Sequence, residues 1–102
     1  MKVRIKVHNA YRKIVAVSDI DLLGKKFIEG NKQIDVDKNF YAGEEVEEGK
    51  ALEILKIENY DDSTFSIVGK NSVALAIKAG IIENKPKAIL TISGVPYALG
   101  LM

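Results

Sequence analysis

The sequence contains no cysteine, one histidine and two prolines among its 102 residues. Without cysteine, the chain forms no disulfide, no thiolate metal site and no cysteine nucleophile. The single histidine, His8, excludes a metal site built from several imidazoles and a catalytic pair of histidines. We therefore expect no metal ion and no cofactor, and we assign no catalytic residue.

Long apolar runs are also missing. No run approaches the roughly eighteen residues that a membrane-spanning helix requires. The first residues alternate between charged and apolar side chains, unlike the apolar block of a signal peptide. With 47% hydrophobic and 28% charged residues, the composition is that of an ordinary globular protein. We expect one cytoplasmic domain over residues 1–102 without membrane contact, and we leave open whether it forms a homo-oligomer.

Charge is distributed unevenly along the chain. The net charge is +1, but residues 1–32 carry +5, residues 33–62 carry −7 and residues 63–102 carry +3. If the two basic segments meet in the fold, this distribution predicts a basic face and an acidic face. The alternative is that the charges only solvate whichever elements are exposed.

The pattern of apolar residues indicates an α/β fold. Period-two alternation predicts a half-buried first strand, and amphipathic or wholly apolar stretches after Gly43 predict helices. The predicted strands cover residues 2–8, 14–17, 33–37, 64–68 and 88–92; the predicted helices cover 51–57 and 72–79; a helical turn lies within 22–27, a loop at 39–43 and a turn at 93–97. We expect a single small domain whose mixed sheet begins with an antiparallel hairpin. It continues as a β-α-β-α-β series, largely parallel.

A Gly69-Lys70-Asn71-Ser72 turn precedes the second predicted helix. The free N–H groups of a helix N-terminus and a neighbouring lysine favour an anion, so these four residues are a candidate phosphate site. A P-loop also needs a glycine five residues before Gly69, where this chain has Thr64. The alternative is structural: Asn71 or Ser72 caps the helix, and Gly69 permits the turn.

Cations on the first strand are the candidate RNA contacts. Alternate residues of a strand lie about 7 Å apart, which is close to the phosphate spacing of a single strand. Tyr11, in the turn that follows, is suited to stacking on a base. The alternative is a solvated edge strand whose lysines discourage edge pairing. The predicted RNA contacts are Lys2, Arg4, Lys6, Tyr11, Arg12 and Lys13, with Lys25 and Lys26 after a second Gly-Lys turn.

Four segments together resemble the archaeal domain-of-unknown-function 424 family. They are Leu-Leu-Gly-Lys at 22–25, Phe-Tyr-Ala-Gly at 40–43, Ile-Val-Gly-Lys through Ala-Ile-Lys-Ala-Gly at 67–80, and Gly-Val-Pro-Tyr-Ala at 94–98. The resemblance implies a small cytoplasmic archaeal protein without an established activity and, by association, a link to RNA or translation. In the family, histidine often follows Gly-Val-Pro, whereas this chain has Tyr97, so no role for an imidazole is expected there.

These observations favour a non-enzymatic module that binds RNA or phosphate, with RNA or a ribosome-associated factor as its partner. Two alternatives stay open. The first is a binding protein or enzyme that holds a phosphorylated small molecule at the carboxyl ends of the strands. The second is a protein-interaction module whose contact is the acidic residues 44–48 and 61–62. A steep salt dependence spread over many cations would favour RNA, whereas dependence on Lys70 and Ser72 alone would favour a small ligand.

Overall fold

The computed structural model describes residues 1–9, 11–85 and 87–100. These residues form a six-stranded sheet with the strand order β5-β1-β2-β6-β8-β7 and a two-stranded sheet of β3 and β4. The strands are β1 (Lys2–His8), β2 (Ile14–Asp19), β3 (Lys26–Glu29), β4 (Lys32–Asp35), β5 (Glu44–Glu47), β6 (Thr64–Val68), β7 (Leu90–Ile92) and β8 (Val95–Gly100). The helices are α1 (Lys38–Tyr41), α2 (Glu48–Tyr60) and α3 (Lys70–Lys78), and a 3₁₀ turn covers Ile20–Leu22.

The predicted mixed α/β sheet is confirmed, as is its N-terminal hairpin. Strands β1 and β2 pair antiparallel, from Val3 opposite Asp19 to His8 opposite Ile14. The predicted β-α-β-α-β series corresponds to β4, α2, β6, α3 and β7, but α1 and β5 come between β4 and α2. The expectation of a largely parallel second half is wrong. Within the described ranges only β2 and β6 pair in parallel, while β8 runs antiparallel to both β6 and β7.

The main core lies between one face of the large sheet and the helices α2 and α3. Alternate residues of β1, β2 and β6 point to this face, as the period of two requires. Phe65 and Leu55 are the largest side chains buried there, at 2% and 0% exposure. The sheet side of this core is Val3, Ile5, Val15, Val17, Val46, Phe65, Ile67 and Ala98, and the helix side is Ala51, Leu55, Val73, Leu75 and Ala76.

A second, smaller core covers part of the opposite face. Ala16, Val68 and Ile92 from the sheet pack with Ile34 of β4 and Tyr41 of α1. Strand β2 is therefore covered on both sides, which accounts for its run of buried residues. The result is a sheet with α2 and α3 on one face, and α1 with the β3–β4 hairpin on the other.

Several element boundaries differ from the predicted ones. Residues 26–29 form a strand, residues 38–41 a short helix, residues 44–47 a strand, and residues 95–100 a strand instead of a turn and a tail. Helix α3 begins at Lys70, two residues before the predicted start. The prediction for the last two residues of the tail lies outside the described residues. No helix in the described part of the chain has both the length and the apolar character needed to cross a bilayer.

Candidate functional site

The N-terminus of α3 is occupied by a carboxylate of the protein itself. Asp19, the last residue of β2, accepts the Asn71 N–H at 3.1 Å and the Ser72 N–H at 2.8 Å. The Ser72 hydroxyl also donates to Asp19, with 2.7 Å between Oγ and Oδ1. The predicted capping role of Asn71 or Ser72 is wrong, because Asp19 supplies the acceptor and Gly69 is the N-cap residue.

Gly69 allows this carboxylate to come so close. Its φ of 110° lies in a region that side chains disfavour, and a Cβ built on it would lie 2.3 Å from Asp19 Cγ. Asp19 is only 6% exposed. Within the described structure, the two N–H groups predicted to hold a phosphate therefore already have an anionic acceptor. Lys70 is exposed beside them, without a carboxylate partner among the described residues.

Polar side chains of β1 hold α1 and the following Ala42–Gly43 segment against the sheet. Arg4 Nη1 donates to the Gly43 carbonyl at 3.2 Å, and Lys6 Nζ donates to the Asn39 carbonyl at 2.8 Å. The His8 Nε2–H is 2.8 Å from the Phe40 carbonyl oxygen, and the His8 ring stacks on Phe40 with 4.5 Å between ring centroids. These three same-face residues of β1 thus have a structural role, which for Arg4 and Lys6 is in addition to their charge.

Basic and acidic segments are neighbours in the fold. Strand β1 pairs with the acidic β5, which places Lys2 opposite Glu47 with 3.6 Å between Nζ and Oε1. At the start of β2, Lys13 lies 3.4 Å from Glu58 and 3.8 Å from Asp61. Lys2 and Lys13 thus meet carboxylates at opposite ends of the β1–β2 hairpin, so at these two places the basic and acidic segments are not separated into different faces.

A different group of cations gathers around α1. Lys6 reaches Asn39, and the side chain of the adjacent Lys38 lies across Gly24, where a Cβ would be 2.9 Å from Lys38 Cε. Lys25 follows Gly24 and accepts the Val36 N–H through its carbonyl at 2.9 Å. We name Lys6, Lys25 and Lys38 the lysine patch. In the described part of the chain no carboxylate lies within 4.0 Å of these ammonium groups.

Helix α1 links two of the sequence-predicted cation positions and adds a cation that the sequence analysis missed. Lys6 and Lys25 were predicted, and Lys26 begins β3 directly after Lys25 with an exposed side chain. Lys38 was missed because residues 39–43 were interpreted as a loop. A usable signal was present, since Asp37 accepts the Asn39 N–H at 2.9 Å, as helix-capping aspartates do.

The remaining predicted contacts lie elsewhere. Tyr11, Arg12 and Lys13 line a groove of about 490 Å³ with Asp61 and Asp62. This groove is at the start of β2, whereas Asp19 is at its end. The Tyr11 side chain is fully exposed. Stacking by Tyr11 is sterically open, but the groove carries carboxylates as well as cations.

A buried row of hydroxyl groups crosses the smaller core. Tyr41 and Ser66 share a hydrogen bond of 2.7 Å, and the Tyr97 hydroxyl lies 3.5 Å from Ser66 Oγ. Burial raises the pKa of Tyr41 from 10.0 to about 12, although the bond with Ser66 opposes the shift.

This pKa predicts loss of stability in alkali. The folded pKa of about 12 exceeds the unfolded value of 10.0, so the native state alone keeps the Tyr41 proton between them. The stabilisation is complete below pH 10.0 and declines by about 2–3 kcal/mol as pH rises to about 12. Urea unfolding of the wild type and of Tyr41→Phe measures the difference. Equal declines for the two proteins over this window would contradict the assignment.

No group of three or more metal-ligating side chains occurs among residues 1–9, 11–85 and 87–100. A family profile described as a protein of unknown function, DUF424, matches residues 7–101. The chain belongs to the DUF424 family. The resemblance noted in the sequence is thereby confirmed. No curated protein matches the chain.

The DUF424 chain also matches a solved structure. This is the crystal structure of an uncharacterized conserved protein from Methanopyrus kandleri, with a TM-score of 0.79 and 23% sequence identity. The match covers 97% of this chain and 90% of the other. At this identity the similarity establishes a common fold and carries no information on activity.

Proposed function

We propose that this DUF424 protein is a cytoplasmic, non-enzymatic module that binds the phosphate backbone of single-stranded RNA through the lysine patch. The supporting observation is that α1 contacts Lys6 through the Asn39 carbonyl and the backbone at Gly24, next to Lys25, through the Lys38 side chain. Other lysines in the described part of the chain also lack a carboxylate partner, but these contacts connect three separate segments that each carry such an unpaired lysine.

Phosphate recognition by ammonium groups suits this arrangement. An ammonium without a carboxylate partner gives up no ion pair when it meets a phosphate, and each contact releases a counterion from the RNA. Lys25 and Lys38 are exposed, while Lys6 is partly exposed and held by Asn39. Lys26, next to Lys25, extends the positive surface along β3. Ammonium groups that contact phosphates do not read base edges, so the proposed binding is independent of sequence.

An extended polyanion is a better match for the patch than a phosphorylated metabolite. The groove beside Tyr11, the cavity between Asp19 and Pro96 and a third cavity between Ile81 and Leu99 are lined by other residues than Lys6, Lys25 and Lys38. A small ligand generally needs a concave site that buries most of its surface. At the other candidate phosphate position, Asp19 already occupies the N–H groups of Asn71 and Ser72. A ribonucleoprotein that displays single-stranded RNA is an equivalent partner.

The test is fluorescence anisotropy with a labelled, unstructured RNA oligonucleotide. We expect a dissociation constant of about 1–100 µM at physiological salt. With three phosphate contacts, affinity should fall roughly twenty-fold between about 50 and 200 mM salt. The variant K6Q/K25Q/K38Q should bind at least about tenfold more weakly and lose most of its salt dependence.

The matched control is K50Q/K56Q/K78Q. It removes the same charge from three exposed lysines on α2 and α3, across the sheet from α1. The control should keep wild-type affinity within about twofold. Equal loss in the two variants would reduce binding to net charge and contradict a site at the patch. Retention by both variants, with loss in Tyr11→Ala, would move the site to the groove beside Tyr11.

A further inference from the structure

A cavity of about 190 Å³ lies at the carboxyl ends of the parallel strands β2 and β6. After β2 the chain turns to the face of α1, where Leu22 packs on the smaller core; after β6 it enters α3 on the opposite face. Two adjacent parallel strands whose connections leave to opposite faces form a switch point. Crevices at such points are the usual ligand sites of α/β sheets.

Both charged and apolar residues line the cavity. Asp19, Asp21 and Lys70 contribute charge, while Leu22, Val95 and Pro96 contribute apolar surface. Its volume is many times the roughly 10–15 Å³ that one water molecule needs, so it has room for a ligand of several heavy atoms. The backbone around it is fixed, because the Gly69 N–H donates to the Pro96 carbonyl at 2.9 Å.

The charges at this cavity do not neutralise one another. Asp21 and Lys70 both line it and are both exposed, yet neither forms an ion pair within 4.0 Å among the described residues. Asp19 is committed to α3 through Oδ1 and Oδ2, so its negative charge stays at the wall. A free phosphate would face two carboxylates here and only one ammonium. Coulombic repulsion therefore disfavours inorganic phosphate.

We propose that this cavity binds a small zwitterion of the α-amino-acid class. The ligand's ammonium group pairs with Asp21 within the negative field of Asp19. Its carboxylate pairs with Lys70, and a short apolar side chain contacts Leu22 and Val95. A ligand that carries both charges satisfies Asp21 and Lys70 together, whereas a plain amine or a plain acid satisfies only one of them. This inference is independent of RNA binding at the lysine patch.

The experiment is a titration of the ¹⁵N-labelled protein with L-alanine, followed by amide chemical shifts at Gly69, Lys70 and Gly94. Acetate and ethylamine, which each carry one of the two charged groups, are titrated in parallel. We expect saturable shifts with L-alanine and an affinity at least about tenfold above that of either half-ligand. Inorganic phosphate should bind more weakly than L-alanine.

Two variants and one control complete the test. Asp21→Asn and Lys70→Gln should each weaken L-alanine binding about tenfold or more, whereas Lys78→Gln, at the other end of α3, should leave it unchanged. Shifts with L-alanine no stronger than those with acetate would overturn the proposal. Unchanged affinity in both cavity variants would also overturn it. RNA binding serves as a separate readout, because neither variant touches the lysine patch.

Discussion

Replacing Asp19 with alanine is expected to lower the free energy of unfolding by about 3 kcal/mol. The change removes an acceptor for the Asn71 N–H, the Ser72 N–H and the Ser72 hydroxyl. It also removes a negative charge from the positive end of the α3 dipole. Urea unfolding followed by far-ultraviolet circular dichroism measures the loss.

Asp21→Ala is the matched control for this prediction. Asp21 lies two residues after Asp19 and its side chain is exposed, so this variant loses the same charge without losing the cap. Its free energy of unfolding should change by no more than about 0.5 kcal/mol. Formate supplies the carboxylate that the Asp19→Ala variant lacks. It should therefore raise the free energy of unfolding of the variant and leave that of the wild type unchanged. Equal effects of the two substitutions would show that Asp19 does not cap α3.

Gly43→Ala should also destabilise the protein, by about 3 kcal/mol. A Cβ at this position would lie 2.0 Å from the Ile5 carbonyl oxygen and 2.7 Å from Lys6 Cβ. Because the nearest atom belongs to the backbone of a central strand, no side-chain rotation relieves the overlap. The chain after α1 must therefore move away from β1, which also breaks the bond from Arg4 to the Gly43 carbonyl.

Gly49→Ala provides the comparison. Gly49 is the second residue of α2, and a Cβ there meets no atom within 4 Å. Alanine favours helices over glycine, so this variant should be more stable than the wild type by up to about 1 kcal/mol. Thermal unfolding of both variants measures the contrast. A Gly43→Ala protein as stable as Gly49→Ala would contradict the close packing of residue 43 on β1.

Local sequence patterns correctly predicted strands whose own residues carry the pattern, such as β1 and β6. The alternation in β1 identified a half-buried strand, and the bounds predicted for β6 match the observed ones. Gly30 and Asn31 join β3 to β4 as a two-residue hairpin loop, for which Gly-Asn is a favourable sequence. The missed strand β3 was therefore within reach of the sequence.

Elements that depend on a distant partner were missed. The glutamates of β5 are typical of a first helical turn, but cations of β1 lie opposite them: Lys2 faces Glu47 and Arg4 faces Glu45. A charged strand at the edge of the sheet also resists further pairing. Whether residues 44–47 form a helical turn or an edge strand therefore depends on the presence of β1 beside them.

Strand β8 was missed because Pro96 argued against a strand. The Pro96 carbonyl accepts the Gly69 N–H, one residue beyond the end of β6. Because the nitrogen and the carbonyl of one strand residue point to the same side, the N–H that proline lacks would also point beyond the end of β6. No donor of the sheet ladder is lost there. Proline is tolerated at this position because of where β6 ends, and the residues around Pro96 give no information on that.

The candidate sites depend on contacts between distant segments to a greater degree. Asp19 and Ser72 are 53 positions apart in the chain, and no local pattern connects them. The sequence identified the Gly69–Ser72 turn as a helix N-terminus suited to an anion, and the fold supplied an internal carboxylate. The lysine patch likewise requires α1 to bring Lys6, Lys25 and Lys38 together.

Mapping RNA binding on the ¹⁵N-labelled protein tests the central proposal most directly. On titration with a short unstructured RNA at low salt, the lysine-patch account predicts amide shifts at Lys6, at residues 24–26 and at residues 38–40. These shifts should weaken as salt rises. Shifts confined to residues 11–13 or to the start of α3, or an unchanged spectrum at low salt, would contradict it.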